Sequence, residues 1–469
     1  MQKDVVMSDL PATPGLLDRA IRRVSALFRE TGTSDPAADL ASQMQACLAG
    51  RGGEVSARAR AAGLAQAYLR LDAAGRRHFR TLLAGFDADA TAVRQAYAAV
   101  EAAPGPAERA AALALLRRAL EPPRLRLLTQ LAAIPDGVKL LVDLRADLLA
   151  EAGRDPALRA LESDLRGLLA AWFDLGFLEL RRVDWSSPAA LLEKLVGYEA
   201  VHRIRSWRDL KNRLDSDRRC YAFFHPRMPE EPLIFVEVAL VQGMADSVQR
   251  LLDEKAPLLD PLGADTAIFY SINNCQRGLD GISFGNFLIK RVVTLLSAEF
   301  PNLKHFATLS PMPGFRQWLD AALAADQFTL MNDEATEALR AALPDGPPAE
   351  TGSQVLARAL ARRPPRPDAV AKLVEPALLA AAARYLLLEA GRVPKRARDP
   401  VAHFHLSNGA RIERLNGRAD VSAKGLDESY GLMVNYLYDP AKIETYHEDY
   451  AGEGRRAAAA AIRKLVRES

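Results

Sequence analysis

The stretch from Cys275 to Pro313, CQRGLDGISFGNFLIKRVVTLLSAEFPNLKHFATLSPMP, decides the fold. A glycine-rich turn leads into an amphipathic helix, and a short apolar strand then ends at Ser310; the helix carries its apolar residues on one side: Phe287, Leu288, Val292, Leu295 and Leu296. Glycines let backbone N–H groups approach an anion, and the first turn of a helix presents unpaired N–H groups at its positive end. This order predicts a site for a phosphate-bearing ligand, with Ser310 facing the reacting part.

The glycine turn does not match the common nucleotide-binding motifs. Gly278, Gly281 and Gly285 have the wrong spacing for a dinucleotide-binding GxGxxG, and the chain contains no GxxxxGK, which disfavours nucleotide hydrolysis. A glycine-rich turn that opens a helix resembles the pyrophosphate loop of the GCN5-related acyltransferase fold, which holds coenzyme A. A tight loop with ordinary helix capping explains the same residues without a ligand.

Length and charge bound the class of protein. A chain of 469 residues exceeds one ordinary core, so two or three domains are expected. The 62 basic and 59 acidic side chains nearly cancel to +3, which removes the main argument for a nucleic-acid or membrane partner, and no window is apolar enough to span a membrane. Three cysteines without a CxxC pair argue against a disulfide framework or structural zinc, and we expect a cytoplasmic protein.

The composition divides the chain near Trp172. Residues 1–172 carry Ala, Leu, Arg and Glu in helical rhythm, interrupted by proline and glycine, which predicts an all-α bundle. Residues 173–469 alternate strand-like and helical patterns, with a helical insertion at about 319–398 between proline-rich linkers. The predicted fold class is therefore α+β: a helical amino-terminal domain followed by a mixed α/β domain.

Seven runs rich in aromatic and β-branched residues predict strands in the second half: Cys220–His225, Leu233–Val241, Thr266–Ile272, His305–Leu309, His403–Leu406, Arg411–Leu415 and Gly431–Tyr438. A helix is predicted over Gly243–Leu252, and Asn408-Gly409 predicts a hairpin between two of the strands. On a strand, His403 and His405 would point to opposite faces and could not share a metal.

Several stretches together resemble one family, malonyl-CoA decarboxylase: Phe269 to Ile272 (FYSI), Gln276 to Arg291 (QRGLDGISFGNFLIKR), Leu309 to Phe315 (LSPMPGF), Pro400 to Ala410 (PVAHFHLSNGA), Ala419 to Ser422 (ADVS) and Gly431 to Tyr438 (GLMVNYLY). The resemblance spans most of residues 185 to 440. It implies a helical domain that mediates oligomerisation, as a dimer or tetramer, before a catalytic domain of the GCN5-related acyltransferase fold. It also implies conversion of malonyl-CoA to acetyl-CoA and carbon dioxide, without a metal or organic cofactor.

The resemblance also implies roles for individual residues. The family's catalytic serine falls on Ser310 and its catalytic histidine on His405, while Ser271 and Tyr438 match further active-site positions. The loop that binds coenzyme A falls on Asp280, Gly281, Ile282, Ser283, Phe284, Gly285 and Asn286. The animal enzymes carry glutamate at the position of Ser283, so another group or a water would have to orient the histidine in this chain.

The residues present fit this chemistry. Loss of carbon dioxide from a malonyl thioester leaves an enolate, whose charge needs hydrogen-bond donors at the thioester oxygen and whose carbon must then be protonated. We expect Ser310 and His405 to meet across adjacent strands, with one holding the substrate and the other delivering the proton; the sequence leaves the two roles open. The alternatives are an acyl-CoA-dependent acyltransferase and, for the first half, a non-catalytic helical scaffold.

Overall fold

The computed structural model describes residues 40–49, 53–153, 155–173, 175–282, 288–347, 349–362 and 368–467. The first part of the chain is helical, as expected: α1 (Leu40–Leu48), α2 (Glu54–Arg70), α3 (Ala73–Gly85), α4 (Ala90–Glu101), α5 (Pro106–Leu120), α6 (Pro123–Ala132), α7 (Gly137–Glu151) and α8 (Pro156–Trp172). We refer to α1–α8 as the helical region.

Three of the prolines that interrupt the helical rhythm in the sequence mark helix starts. Pro106, Pro123 and Pro156 each occupy the first turn of a helix, where a missing N–H costs nothing. Asp72 and Asp155 cap α3 and α8, because their carboxylates accept hydrogen bonds from backbone N–H groups in the first turn. Short-range chemistry therefore places the helix boundaries.

A seven-stranded mixed sheet forms the second part, with strand order β1-β2-β3-β4-β5-β7-β6. The strands are β1 (Glu179–Val183), β2 (Arg218–His225), β3 (Met228–Val241), β4 (Thr266–Asn274), β5 (His305–Thr308), β6 (Arg411–Asn416) and β7 (Met433–Leu437). All neighbouring pairs are antiparallel except β4 and β5, which run parallel. The expected α+β fold with a sheet of the GCN5-related acyltransferase type is confirmed.

The parallel pair separates along its length. Residues from Thr266 to Phe269 pair with β5, and Leu309 makes the last backbone bond to β4, at 3.1 Å to the carbonyl of Phe269. Ser310 then exchanges two backbone hydrogen bonds of 2.9 Å with Val434 of β7 instead. In the described part of the chain, β4 continues to Asn274 without a partner on this side, so a gap opens between the two strands.

The remaining helices surround the sheet: α9 (Ala189–Tyr198), α10 (Trp207–Arg213), α11 (Val248–Leu251), α12 (Leu288–Glu299), α13 (Phe315–Ala324), α14 (Asp333–Ala341), α15 (Gly352–Ala361), α16 (Asp368–Leu387), α17 (Pro400–Ser407), α18 (Ala423–Ser429), α19 (Ile443–Glu453) and α20 (Ala460–Arg467). Helices α13–α16 lie between β5 and α17 and form the helical insertion. No helix within the described ranges is long and apolar enough to cross a bilayer.

Three sequence-based predictions of local structure are wrong. The segment His403–Leu406 belongs to helix α17 rather than to a strand, because Asp399 caps a helix that starts at Pro400. Asn408-Gly409 consequently ends a helix and does not form a hairpin; Gly409 has a φ of +78°. The helix predicted over Gly243–Leu252 shortens to Val248–Leu251, because Ser247 is extended and its hydroxyl caps the helix by accepting the Arg250 N–H.

The helix that follows the glycine turn buries a different stripe from the one predicted. Leu288, Val292 and Leu296 are in the core, and Ile289 and Val293 join them, whereas Leu295 is 45% exposed and Phe287 lies outside the described residues. The strand predictions differ from the structure in two further places. Strand β1 is not among the predicted strands, and β5 ends at Thr308, two residues before Ser310.

One hydrophobic core joins the helical region to the sheet. It runs continuously from Leu40 and Leu141 in the helical region through Phe269 in the sheet to Ile462 in α20. The two parts are therefore packed as one body in the described structure. A substitution in the core of the helical region can shift side chains that pack on the sheet.

Candidate active site

Ser310 and His405 meet where β5 leaves the sheet. The imidazole Nε2 of His405 lies 2.9 Å from the Ser310 hydroxyl, and both side chains are nearly inaccessible, at 3% and 6% exposure. The contact joins residues 95 positions apart in the chain, so only the fold brings them together. His405 arrives from α17 and not from an adjacent strand, which corrects the expected route but keeps the expected contact.

Asp399 fixes the helix that carries His405. Its buried carboxylate accepts hydrogen bonds of 2.9 Å from the backbone N–H groups of Val401 and Ala402. Burial raises the pKa of Asp399 to about 6, against which its backbone hydrogen bonds act. The Asp-Pro pair at the start of this segment is the signal that the sequence reading missed, since it is a typical helix start.

Tyr438 holds the other side of the imidazole. Its hydroxyl lies 2.8 Å from Nδ1 of His405, and the tyrosine is only 1% exposed. Burial lowers the pKa of His405 to about 3 and raises the pKa of Tyr438 well above its usual range, so the histidine is neutral and the tyrosine keeps its proton.

These protonation states set the direction of every hydrogen bond in the chain. The protonated Tyr438 hydroxyl donates to Nδ1, since no other partner for it is found in the described residues. The imidazole proton must then sit on Nε2 and point at the Ser310 oxygen. Ser310 in turn donates to the Thr308 hydroxyl at 2.8 Å.

Thr308 was not singled out from the sequence. It lies two residues before Ser310, and strand alternation puts such pairs on one face of a sheet. Its hydroxyl also accepts the backbone N–H of Tyr436 at 3.1 Å, which ties the serine to β7. The sequence signal for Thr308 is its spacing of two residues from Ser310, which predicts that both side chains lie on the same face.

The imidazole has aromatic neighbours instead of charged ones. The Tyr436 ring stacks on it at 4.5 Å between centroids and 26° between planes, and Phe404 packs edge-on at 5.1 Å. Among the described residues, no carboxylate hydrogen-bonds the imidazole. Nothing there stabilises an imidazolium, and the site is therefore built to keep His405 neutral.

Ser271 lies outside this hydrogen-bonded chain. A bulge at Tyr270 lets Ser271 pair with Glu237, while Phe269 pairs with Val238. Because paired residues share a face and consecutive residues of β3 alternate, Ser271 points away from the face on which Phe269 packs against Tyr438.

The Ser271 hydroxyl is part of a separate buried cluster. It contacts the two carboxylate oxygens of Glu199 at 3.0 and 2.8 Å and accepts a hydrogen bond from Asn273 at 2.7 Å. The same carboxylate accepts the backbone N–H groups of Val201 and His202, so the cluster ties the segment after α9 to β4. Glu199 was not anticipated from the sequence and has no motif to signal it.

The expected coenzyme A loop is described only in part. Asp280, Gly281 and Ile282 are placed, and Gly281 has a φ of +73°, which favours glycine. The structure does not describe the rest of the loop: Ser283, Phe284, Gly285 and Asn286. The group that takes the place of glutamate at Ser283 is therefore not assigned. Within the described residues, no three His, Cys, Asp or Glu side chains form a group that could hold a metal ion.

The fold defines a class, an α+β enzyme of acyltransferase-like fold, and its candidate site holds a hydrogen-bonded serine, histidine and tyrosine beside a separated strand pair. Two family models match the chain, "Malonyl-CoA decarboxylase N-terminal domain" over residues 86–173 and "Malonyl-CoA decarboxylase C-terminal domain" over 176–469. The chain belongs to the malonyl-CoA decarboxylase family, whose named members are carboxy-lyases.

Curated relatives and a solved structure agree with this assignment. The chain is 39% identical to mitochondrial malonyl-CoA decarboxylase of Anser anser anser over 325 residues, which cover 67% of this chain and 64% of the goose enzyme. It is 37% identical to the Rattus norvegicus enzyme over 431 residues, 86% of this chain and 83% of the rat protein. The crystal structure of malonyl-CoA decarboxylase from Rhodopseudomonas palustris superposes with a TM-score of 0.81 at 41% identity, covering 92% of this chain and 100% of that chain.

Proposed function

We propose that this chain converts malonyl-CoA to acetyl-CoA and carbon dioxide, with Ser310 and His405 as catalytic residues and Tyr438 as the residue that positions the histidine. The observation that carries the proposal is the directed hydrogen-bond chain from Tyr438 through His405 to Ser310. It offers a proton, on Nε2, at the same place where a hydroxyl can hold the substrate.

His405 is the proton donor in this proposal. Loss of carbon dioxide leaves an enolate whose carbon is basic enough to take a proton from a neutral imidazole, so an imidazolium is not needed. The electrons of the broken C–C bond enter the thioester enolate, and the new C–H bond takes the Nε2 proton. Solvent then returns one proton to the imidazole in each turnover, which balances malonyl-CoA plus a proton against acetyl-CoA plus carbon dioxide.

Ser310 contacts the reacting malonyl group. Its hydroxyl now donates to Thr308, and a rotation about the Cβ–Oγ bond would aim the same proton at the substrate. Removal of the malonyl carboxylate from water in an aromatic, uncharged site favours its loss as neutral gas.

The substrate's coenzyme A part is assigned to two features. In the described residues the pairing of β4 with β5 ends at Phe269, and we assign the pantetheine arm, whose amides can hydrogen-bond to a strand edge, to the gap that follows. The loop from Asp280 to Asn286 takes the pyrophosphate on backbone N–H groups, in keeping with the positive φ of Gly281. Ser271 is given a structural role, because its hydroxyl is already engaged by Glu199.

The test is an incubation of the purified chain with malonyl-CoA in deuterated water, followed by mass spectrometry. We expect acetyl-CoA that carries deuterium in its methyl group, formed without any acceptor. Product formation only after an amine is added would support the acyltransferase alternative and refute decarboxylation. A burst of acyl-enzyme on Ser310 would contradict the hydrogen-bonding role of the serine.

We also propose that residues 1–172 form the oligomerisation domain and residues 173–469 the catalytic domain. The support is the hairpin α4–α5, in which only Val100 and Ala112 are buried while Tyr97, Leu115 and Leu120 are 54–57% exposed. Apolar residues on a projecting hairpin suit contact with a second copy of the chain.

The oligomer proposal is tested by light scattering of Leu115→Glu, with Leu388→Glu as control, since Leu388 is also exposed, at 51%, but lies outside the hairpin. The hairpin variant should have a lower mass than both the control and the unchanged protein. Equal masses for all three would exclude this surface as the interface.

For the compartment we propose the cytoplasm. Cys47, Cys220 and Cys275 are free and buried, and burial raises the pKa of each thiol, so they suit a reducing environment. The goose and rat relatives are named as mitochondrial, so cell fractionation decides the matter.

A further inference from the structure

Arg145 of α7 connects the helical region to the turn that precedes the expected coenzyme A loop. Its guanidinium Nη1 donates to the carbonyl of Gly278 at 2.7 Å and to that of Asp280 at 2.9 Å. The side chain is only 2% exposed, and its Nε and Nη2 bind Glu162 of α8 at 2.9 and 2.8 Å. Burial of a guanidinium carries a desolvation penalty, and the hydrogen bonds to Glu162 and to the two carbonyls offset it.

A second contact holds the same turn independently of charge. A Cβ atom on Gly278 would lie 1.7 Å from the carbonyl oxygen of Val142, one helical turn before Arg145. The turn therefore rests directly on the backbone of α7, and only glycine allows this approach. Arg166 of α8 adds a third contact, from its guanidinium to the carbonyl of Gly281 at 3.1 Å.

These contacts determine where the N–H group of Gly281 points; the N–H groups of Leu279, Asp280 and Ile282 bind carbonyls within the turn. A trans peptide directs its N–H opposite to its C=O, so a carbonyl of Asp280 that faces Arg145 aims the N–H of Gly281 away from α7. That is the side on which an anion can be bound, and the guanidinium behind the carbonyls adds polarisation in the same direction.

We propose that Arg145 is a positioning residue for coenzyme A binding: its guanidinium, with the contacts at Val142 and Arg166, sets the geometry of the pyrophosphate-binding turn. The inference rests on the proposed function, which assigns the pyrophosphate to the loop that begins at Asp280, and it concerns only the described turn from Gly278 to Gly281. It adds a role in substrate binding for a residue that lies outside the sheet and touches no substrate.

The experiment compares Arg145→Met with Arg80→Met in the full-length chain. Arg80 is the matched control, because it is also 2% exposed and pairs with carboxylates of α7 (Asp147 and Glu151), yet it makes no contact with the turn. Both variants should melt at lower temperature. Only Arg145→Met should bind coenzyme A more weakly, with a dissociation constant raised roughly tenfold by calorimetry, and raise the KM for malonyl-CoA similarly while kcat stays within about twofold.

Two further experiments test the role of Arg145 without relying on the stability of one variant: a chemical rescue and a variant of an exposed residue. Guanidinium at a low, non-denaturing concentration should lower the KM of Arg145→Ala toward the unchanged value, whereas sodium at equal ionic strength should not. If the Arg145 variants do not fold, Arg166→Gln, which alters an exposed side chain, should still raise the dissociation constant about threefold.

The outcomes separate this inference from the proposed function. Equal coenzyme A affinity in Arg145→Met, Arg80→Met and the unchanged protein would refute the positioning role, as would an unchanged affinity in Arg166→Gln. Failure of the unchanged protein to bind coenzyme A or to release acetyl-CoA would instead refute the proposed function itself.

Discussion

Tyr438→Phe removes one hydroxyl and leaves the shape of the site intact. That hydroxyl donates to Nδ1 of His405 at 2.8 Å and has no other partner in the described residues. We expect the variant to fold and to bind substrate normally, because the tyrosine is 1% exposed and lies behind the imidazole, on the side away from Ser310. Its effect should appear in kcat.

The size of the effect follows from charge development in the reaction. As the Nε2 proton leaves, negative charge grows on the imidazole, and the Tyr438 hydroxyl stabilises that charge at Nδ1. A hydrogen bond to a charged group contributes about 2 kcal/mol, and roughly 1.4 kcal/mol corresponds to a factor of ten in rate. The expected loss in kcat is therefore about thirtyfold, with KM nearly unchanged.

Tyr436→Phe is the matched control. Its ring stacks on the same imidazole, but its buried hydroxyl has no hydrogen-bond partner in the described structure, so the loss of that group should leave kcat unchanged and cost no stability. Steady-state kinetics of both variants with malonyl-CoA decides the matter. Equal kcat in Tyr438→Phe and the unchanged protein would show that the tyrosine does not control the imidazole, and the assigned proton position would fall with it.

Three further outcomes are expected. Ser310→Ala and His405→Ala, each shown to be folded, should lower kcat by roughly a hundredfold or more, the usual cost of one preorganised donor, and wild-type rates in both would overturn the site. In NMR of the isotope-labelled histidines, His405 should stay neutral down to about pH 5 because its pKa is lowered to about 3, and a His405 signal that titrates near the usual 6.5 would contradict this. For Asp399 the folded pKa is raised to about 6, so folding loses stability from this group as pH rises from about 4 to 7. Relative to the unchanged protein, Asp399→Asn should therefore gain roughly 2 kcal/mol over that range in denaturant unfolding, and a constant difference would contradict the raised pKa.

Much of the fold could be predicted from sequence because local rules decided it. Proline and aspartate mark the helix starts of the first half, and apolar runs mark six of the seven strands. The rule failed at His403–Leu406, where apolar residues alternate with histidine as on a strand. Asp399 caps a helix at this position, and the helix continues through His405. A short apolar segment has too little periodicity to distinguish a helix from a strand, so the cap is the more informative signal.

The candidate site was predictable in composition but not in arrangement. The resemblance supplied Ser310, His405 and Tyr438, and the structure brings these three together. Nothing in the sequence could separate Ser271 from them, because its placement depends on a bulge at Tyr270, and a bulge is a property of strand pairing. The direction of the hydrogen bonds from Tyr438 to Ser310 could not be predicted from the sequence either, because it depends on protonation states that burial sets.

Burial also gives a reason why the proposed site needs no carboxylate beside its histidine. A carboxylate partner would raise the pKa of the imidazole and favour the imidazolium, whereas the aromatic surroundings of His405 and the donor at Tyr438 favour the neutral form with its proton on Nε2. A neutral donor does not attract the malonyl carboxylate that must leave, while a cation at the same place would hold it. The absence of charge around His405 among the described residues is thus compatible with both halves of the reaction, the loss of carbon dioxide and the return of a proton. In the proposal above, the nearest charged contribution to substrate binding is indirect, because Arg145 binds the carbonyls of Gly278 and Asp280 and not the substrate.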